Sequence, residues 1–129
     1  TGEHLWMQPN GPGPRTHPTI AELDLPWLGQ RGRAAPLLTK TLLFLGEGTE
    51  AALSILPIAG GKFFRAWQKE TGDVLWEIEL AAGTSGAPMT YMANGRQYVV
   101  IATGGHMWNY PNGISDELIA YALPENLIE

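Results

Sequence analysis

Ala66-Trp67-Gln68-Lys69-Glu70-Thr71-Gly72-Asp73-Val74-Leu75-Trp76 is the stretch whose reading decides the fold. It reads as a strand, a tight turn at Thr71-Gly72, and a second strand that ends on a large aromatic. Val74, Trp76, Ile78 and Leu80 alternate with Leu75, Glu77 and Glu79, and a period of two predicts a strand with one buried face. Gly72 can take the positive φ that a tight turn often needs. Trp76 carries on the order of 150–250 Å² of surface with which to anchor the strand against a neighbour.

Working outward, Thr1-Gly2-Glu3-His4-Leu5-Trp6 repeats the end of this motif: Thr1 matches Thr71, Gly2 matches Gly72, Leu5 matches Leu75 and Trp6 matches Trp76. The chain is therefore expected to start inside a repeat unit, as a piece of a longer protein. Residues 8–32, with Pro9, Pro12, Pro14, Pro18 and Pro26, read as a long connecting loop with one short helical turn near Thr19–Leu23; loops of this length tend to be functional. Ala34–Leu38 and Thr41–Leu45 read as two strands around a turn at Thr39-Lys40. The second is apolar on both faces, which predicts a strand sandwiched between layers. A variable loop, 49–62, precedes the Phe63–Leu80 hairpin.

The pattern then restarts. Ala87–Met92 and Gln97–Ala102 flank Asn94-Gly95, a strong signal for a type I′ hairpin turn. Leu118–Leu123 is the last predicted strand, stopped by Pro124. Ala35-Pro36 recurs at Ala87-Pro88, 52 residues on, and Ala66-Trp67 at Ala120-Tyr121, 54 residues on. Phe44-Leu45-Gly46 corresponds to the region Ile101–Gly104. A period near 50 with about four strands per repeat marks a β-propeller blade. The expectation is all-β: antiparallel four-stranded blades of a propeller, about two and a half of them. Residues 1–7 would form the outer strand of one blade, 8–32 a connecting loop, 33–80 a complete blade and 86–123 most of another.

Composition agrees. Gly 16 and Pro 10 make up 26 of the 129 residues, about 20% against a usual ~12%, which suits short strands and turns. The net charge of −5, with no Lys/Arg run, argues against nucleic acid as a partner. No apolar run reaches the ~18 residues of a membrane span. With Cys 0 there are no disulfides or thiolate metal sites.

These residues carry a resemblance. Ala66, Thr71, Gly72 and Trp76 match the tryptophan-docking motif of quinoprotein dehydrogenases, A-x-D-x-x-T-G-x-x-x-W, with Gln68 in place of the usual Asp. The run from Ala87-Pro88-Met89-Thr90-Tyr91 to Gly104-Gly105-His106 is similar to the C-terminal blade of the glucose, polyol and quinate dehydrogenases that use pyrroloquinoline quinone (PQQ). Trp6–Pro9, Leu38–Phe44 and Leu118–Pro124 fit the same group. The resemblance implies an eight-bladed periplasmic propeller, membrane-associated through a part outside these residues. It implies PQQ with Ca²⁺ or Mg²⁺, an alcohol substrate that gives a hydride to the quinone, and ubiquinone as the electron acceptor. The metal and base residues of that family lie upstream, so this stretch is expected to hold no catalytic residue and no metal ligand, to bind neither PQQ nor the ion tightly, and to be inactive alone. A rival reading is a cofactor-free propeller that binds another protein, and open blade edges would invite self-association.

The resemblance places the Gly104-Gly105-His106 loop near the active-site entrance. An imidazole there could donate to a substrate hydroxyl or a quinone oxygen, or simply face solvent. Trp108 and Tyr110 could line the same mouth or pack the loop. Arg33 could face the ring centre and an anionic cofactor. Trp6 and Trp76 read as blade-packing residues, Asp116-Glu117 as a solvated loop end because neighbours on a strand point apart, and His4 and His17 as surface. Gly61 stands where close relatives carry an acidic residue, which leaves a generic polyol or cyclic alcohol ahead of glucose.

Overall fold

The computed structural model describes residues 2–30, 32–48, 61–104 and 114–124. Its regular structure is antiparallel sheet, with two short 3-10 turns at Gly13–Thr16 and Ala21–Leu23. The first sheet has the order β1-β2-β3-β4, with β1 at Leu37–Leu38, β2 at Leu42–Gly46, β3 at Phe63–Gln68 and β4 at Val74–Glu79. The second has the order β5-β6-β7, with β5 at Met89–Ala93, β6 at Arg96–Ala102 and β7 at Leu118–Tyr121. Each strand pairs with its neighbour in sequence, the up-and-down meander of a propeller blade. The strands from Leu37 onward follow the sequence reading in order, but residues 2–7, expected as the outer strand of a preceding blade, form no strand, because among the described residues no strand lies beside them to pair with. β1 and β7 are shorter than expected, and Gly13–Thr16 is a turn that the proline-rich composition hid.

The turns explain the registers. Asn94 and Gly95 both have positive φ, 50° and 76°, as a type I′ turn requires, and Ala93 pairs with Arg96 across it. In the β3–β4 hairpin, Gly72 has φ 77°. Thr71 Oγ1 donates to Asp73 Oδ2 at 2.7 Å and approaches Gln68 Oε1 at 3.3 Å. The glutamine in the motif's Asp position thus stays beside the threonine, whose hydroxyl proton goes to the nearer Asp73.

The core lies between the sheets. Phe64 and Leu80 from the first meet Val99 and Ile101 from the second, with Phe44, Ile78, Ile119 and Tyr121 packed around them. Fully burying a phenylalanine such as Phe64 stabilises by about 1.5–3 kcal/mol. Phe64 sits 6.0 Å from Trp76 and 6.2 Å from Tyr121, and Trp76 meets Tyr121 edge-on at 5.2 Å. Trp76 is nevertheless 38% exposed, because β4 is the edge of its sheet and only one side of the indole is covered. The predicted alternation holds toward the core and weakens at Val74, which is also exposed. Leu42 to Leu45 of β2 are half-buried, so the sandwiching is looser than expected.

β3 carries the opposite face as well. Phe64 and Ala66 point to the second sheet, whereas Arg65 and Trp67 point away and are still buried. The N-terminal excursion is associated with that face. Trp6 Nε1 donates to the Lys69 carbonyl at 2.8 Å. The excursion also closes on itself: the amides of Leu28, Gly29 and Gln30 donate to the carbonyls of Pro12, Gly11 and Asn10 at 3.1, 3.2 and 2.8 Å. The excursion is a loop by sequence, but residues 10–30 close on themselves like a hairpin in the fold.

Candidate functional site

Antiparallel meandering divides the strand connections into two ends. The tight turns at 39–41, 69–73 and 94–95 lie at one. The longer connections lie at the other: where β2 ends and β3 begins, where β4 passes to β5, and where β6 ends and β7 begins. Contacts across the sheets place these on one rim. The Thr84 amide donates to the Glu47 carbonyl at 3.4 Å and the Gly104 amide to the Gly83 carbonyl at 2.8 Å. Gly46 is pressed against the Thr84 side chain, where no Cβ would fit. Long connections gathered on one end of a rigid scaffold are where binding and catalytic groups concentrate.

Glu47 is the hub of that rim. It follows β2 directly and is 1% exposed. Its amide donates to the Phe63 carbonyl at 2.7 Å, and its Oε2 accepts the Phe63 amide at 3.2 Å. Its Oε1 accepts Arg65 Nη1 at 2.5 Å. Arg65, 2% exposed, also donates from Nη1 to Asn10 Oδ1 at 3.0 Å and from Nε to Glu77 Oε2 at 2.9 Å. Its guanidinium lies 5.3 Å from the Trp27 ring and 5.0 Å from the Phe63 ring, within cation–π range. A buried charge needs partners, and Arg65 takes them from the second strand, the fourth strand and the excursion at once. A groove of about 330 Å³ opens beside this cluster, lined by Pro12, Trp27, Lys62, Phe63 and Glu79 together with Glu47 and Arg65.

The Gly-Gly-His loop leaves the same rim. Gly104 has φ 73°, and a Cβ there would run into the Ser115 backbone. Thr103 Oγ1 donates to Ser115 Oγ at 2.8 Å and the Thr103 amide to the Glu117 carbonyl at 3.0 Å. The base of the loop is therefore fixed by backbone contacts on both sides. Gly105, His106, Trp108 and Tyr110 lie outside the described residues. Arg33 is exposed, with its amide close to Gly48. Asp116 and Glu117 are exposed as expected, and His17 Nδ1 accepts the Thr19 amide at 3.3 Å.

Two groups of the site escaped the sequence reading. Asn10 and Trp27 looked like loop residues, and Glu47 like a strand terminator between glycines. The signal that could have found them is Arg65 itself: a guanidinium in the run Phe63-Phe64-Arg65-Ala66-Trp67 cannot be buried without an acidic partner. Near the core, burial and then the Glu117 carboxylate push the Tyr121 hydroxyl above its ordinary value of 10.0. Among the described residues no three His, Asp or Glu side chains stand together as a metal site. The Ca²⁺ or Mg²⁺ that the resemblance implies thus finds no such cluster among the described residues.

Comparison with known proteins gives the rest. Residues 1–99 match the family model of the PQQ glucose/ethanol/alcohol dehydrogenase beta-propeller domain. The chain is 35% identical to a glycerol dehydrogenase large subunit of Gluconobacter thailandicus over 123 residues, 94% of this chain and 15% of that protein. It is 33% identical to quinoprotein glucose dehydrogenase A of Acinetobacter calcoaceticus over 127 residues, 98% of this chain and 14% of that protein. It is also 33% identical to a probable quinate dehydrogenase (quinone) of Xanthomonas campestris pv. juglandis over 123 residues, 93% of this chain and 14% of that protein. The chain thus spans about one seventh of the length of these relatives. With its meandering antiparallel sheets and a family match over more than half its length, the chain belongs to the PQQ-dependent glucose/ethanol/alcohol dehydrogenase beta-propeller family.

Proposed function

We propose that this chain is the C-terminal part of a quinoprotein dehydrogenase that oxidises a sugar, polyol or cyclic alcohol, with PQQ as the hydride acceptor and ubiquinone as the onward electron acceptor. The observation that carries the proposal is the family match over 1–99, supported by relatives named for glycerol, glucose and quinate. In this reading, 33–80 supply a whole blade, 86–123 most of another, and 1–7 the end of a preceding one. PQQ is the family's cofactor; a Ca²⁺ or Mg²⁺ would polarise its carbonyl when bound. In this reading the ion ligands and the base come from the part of the enzyme upstream of this stretch. His106, two residues beyond Gly104, is the residue of this stretch that would act on substrate or quinone. The whole enzyme would work in the periplasm on a membrane; among the described residues no helix is long and apolar enough to cross one.

The test is dye reduction by the full protein reconstituted with PQQ and Ca²⁺, with glycerol, glucose and quinate in turn. Activity that needs both the quinone and one of these alcohols is expected, and the isolated 129 residues should show none. A full protein that binds no PQQ would instead favour a scaffold propeller.

A further inference from the structure

Among the described residues, Arg65 and Glu47 tie the N-terminal excursion, the end of the second strand, the fourth strand and the groove into a single unit. Five observations converge on it. Both side chains are almost fully buried, at 2% and 1% exposure. The guanidinium reaches across 55 positions of sequence to Asn10. The amide of Asn10 also acts on the blade, through Nδ2 to the Gly46 carbonyl at 3.2 Å. The ring of Trp27, 45% exposed, is held over the same guanidinium. Gly11 and Gly61 both close on the Glu47 carboxylate, at positions where a Cβ would collide with it.

We propose that Arg65 and Glu47 are positioning residues for the rim. Together they clasp the excursion, through Asn10 and Trp27, against the blade, and so set the width of the groove between Trp27, Lys62, Phe63 and Glu79. In the dehydrogenase proposed above, on which this step rests, the clasp acts on how an alcohol is admitted and held, not on the transfer of hydride. Its partners are side chains and backbone of the scaffold. A clasp of this kind moves KM and leaves kcat in place.

The experiment separates this from plain stability. A buried ion pair that loses one partner destabilises a protein, whereas replacing both partners with apolar side chains often does not. The full protein is made with Glu47→Leu and Arg65→Met together. Hydrogen exchange is followed at the Leu28, Gly29 and Gln30 amides, which close the excursion, and in β2 and β3 as a reference. The clasp predicts that protection in the excursion falls about tenfold while the strands keep theirs. Unchanged protection at 28–30 overturns it. Asn10→Ala, which leaves the ion pair in place, is predicted to loosen the same amides, and this second variant decides the matter if the double variant does not fold. With whichever of glycerol, glucose or quinate the wild type oxidises best, KM should rise about tenfold with kcat within about twofold. An unchanged KM, or a loss confined to kcat, contradicts the proposal. The exchange result stands even if the protein oxidises none of the three, so failure of the clasp and failure of the dehydrogenase reading are told apart.

Discussion

The indole of Trp6 lies on Gly72: a Cβ at Gly72 would sit 2.6 Å from two ring carbons, while the indole N–H donates to the carbonyl of Lys69 in the same hairpin at 2.8 Å. One residue thus reads two features of the turn, its missing side chain and its free carbonyl. Trp6 is thus held by the Thr71-Gly72 turn from far along the chain, and the contact locks the N-terminal segment to the first sheet.

The lock predicts a measurable coupling. Gly72→Ala should destabilise the protein by about 1–2 kcal/mol from the left-handed backbone alone, and by more because the methyl displaces the indole. Trp6→Ala should cost about 1–3 kcal/mol. In a double-mutant cycle read by urea unfolding, the two losses should fall short of their sum, since the clash vanishes once the ring is gone. Strict additivity would mean that the ring does not rest on Gly72.

Glu47→Ala should cost about 3–5 kcal/mol, because it leaves the Arg65 guanidinium buried without its nearest carboxylate. Glu77→Ala, which removes the partner that is 48% exposed, should cost under about 1 kcal/mol. Thermal unfolding of the two variants side by side checks the ranking, and equal losses would contradict it.

Gly104→Val should cost about 2–4 kcal/mol through its positive φ and the collision with Ser115. If the loop beyond it bears on substrate, the variant also loses alcohol oxidation at temperatures where it remains folded. Steady-state kinetics below the melting transition would show this. Full activity in a folded variant would detach the loop from the chemistry.

Tyr121 gives an alkaline signature. Its hydroxyl pKa is raised, first by burial and then by Glu117, so the folded state holds the proton more tightly than the unfolded one. The resulting stability is complete below about pH 10 and drains away as pH climbs through the folded-state value. Tyr121→Phe should abolish that part of the alkaline loss. Unfolding free energies of both proteins across this range test it, and parallel curves would contradict it.

Local physics made most of the fold legible. Asn94-Gly95 set one hairpin and Thr71-Gly72 the other, because each turn geometry admits few residues. The 52–54-residue recurrence gave the order of strands. What stayed hidden is long-range. Nothing near Asn10 in sequence announces Arg65, and Leu28 to Gln30 carry no alternation that foretells pairing with Asn10 to Pro12. Those contacts depend on burial and on chain segments meeting in space. Trp76 fell short of full burial for a related reason: sequence shows that a face is apolar, but the packing around an edge strand decides how much of it is covered. Of the Gly104-Gly105-His106 loop the structure describes the base at Gly104, and the buried cluster was illegible at Glu47, where a short Gly-Glu-Gly run resembles an ordinary strand end.

The central claim, that this chain belongs to a working quinoprotein dehydrogenase, is tested most directly by calorimetric titration of the full protein with PQQ, with and without Ca²⁺. The account predicts saturable binding of one quinone per chain that strengthens when the ion is present. Absence of any binding heat in both conditions, from a protein that is folded by circular dichroism, would contradict it.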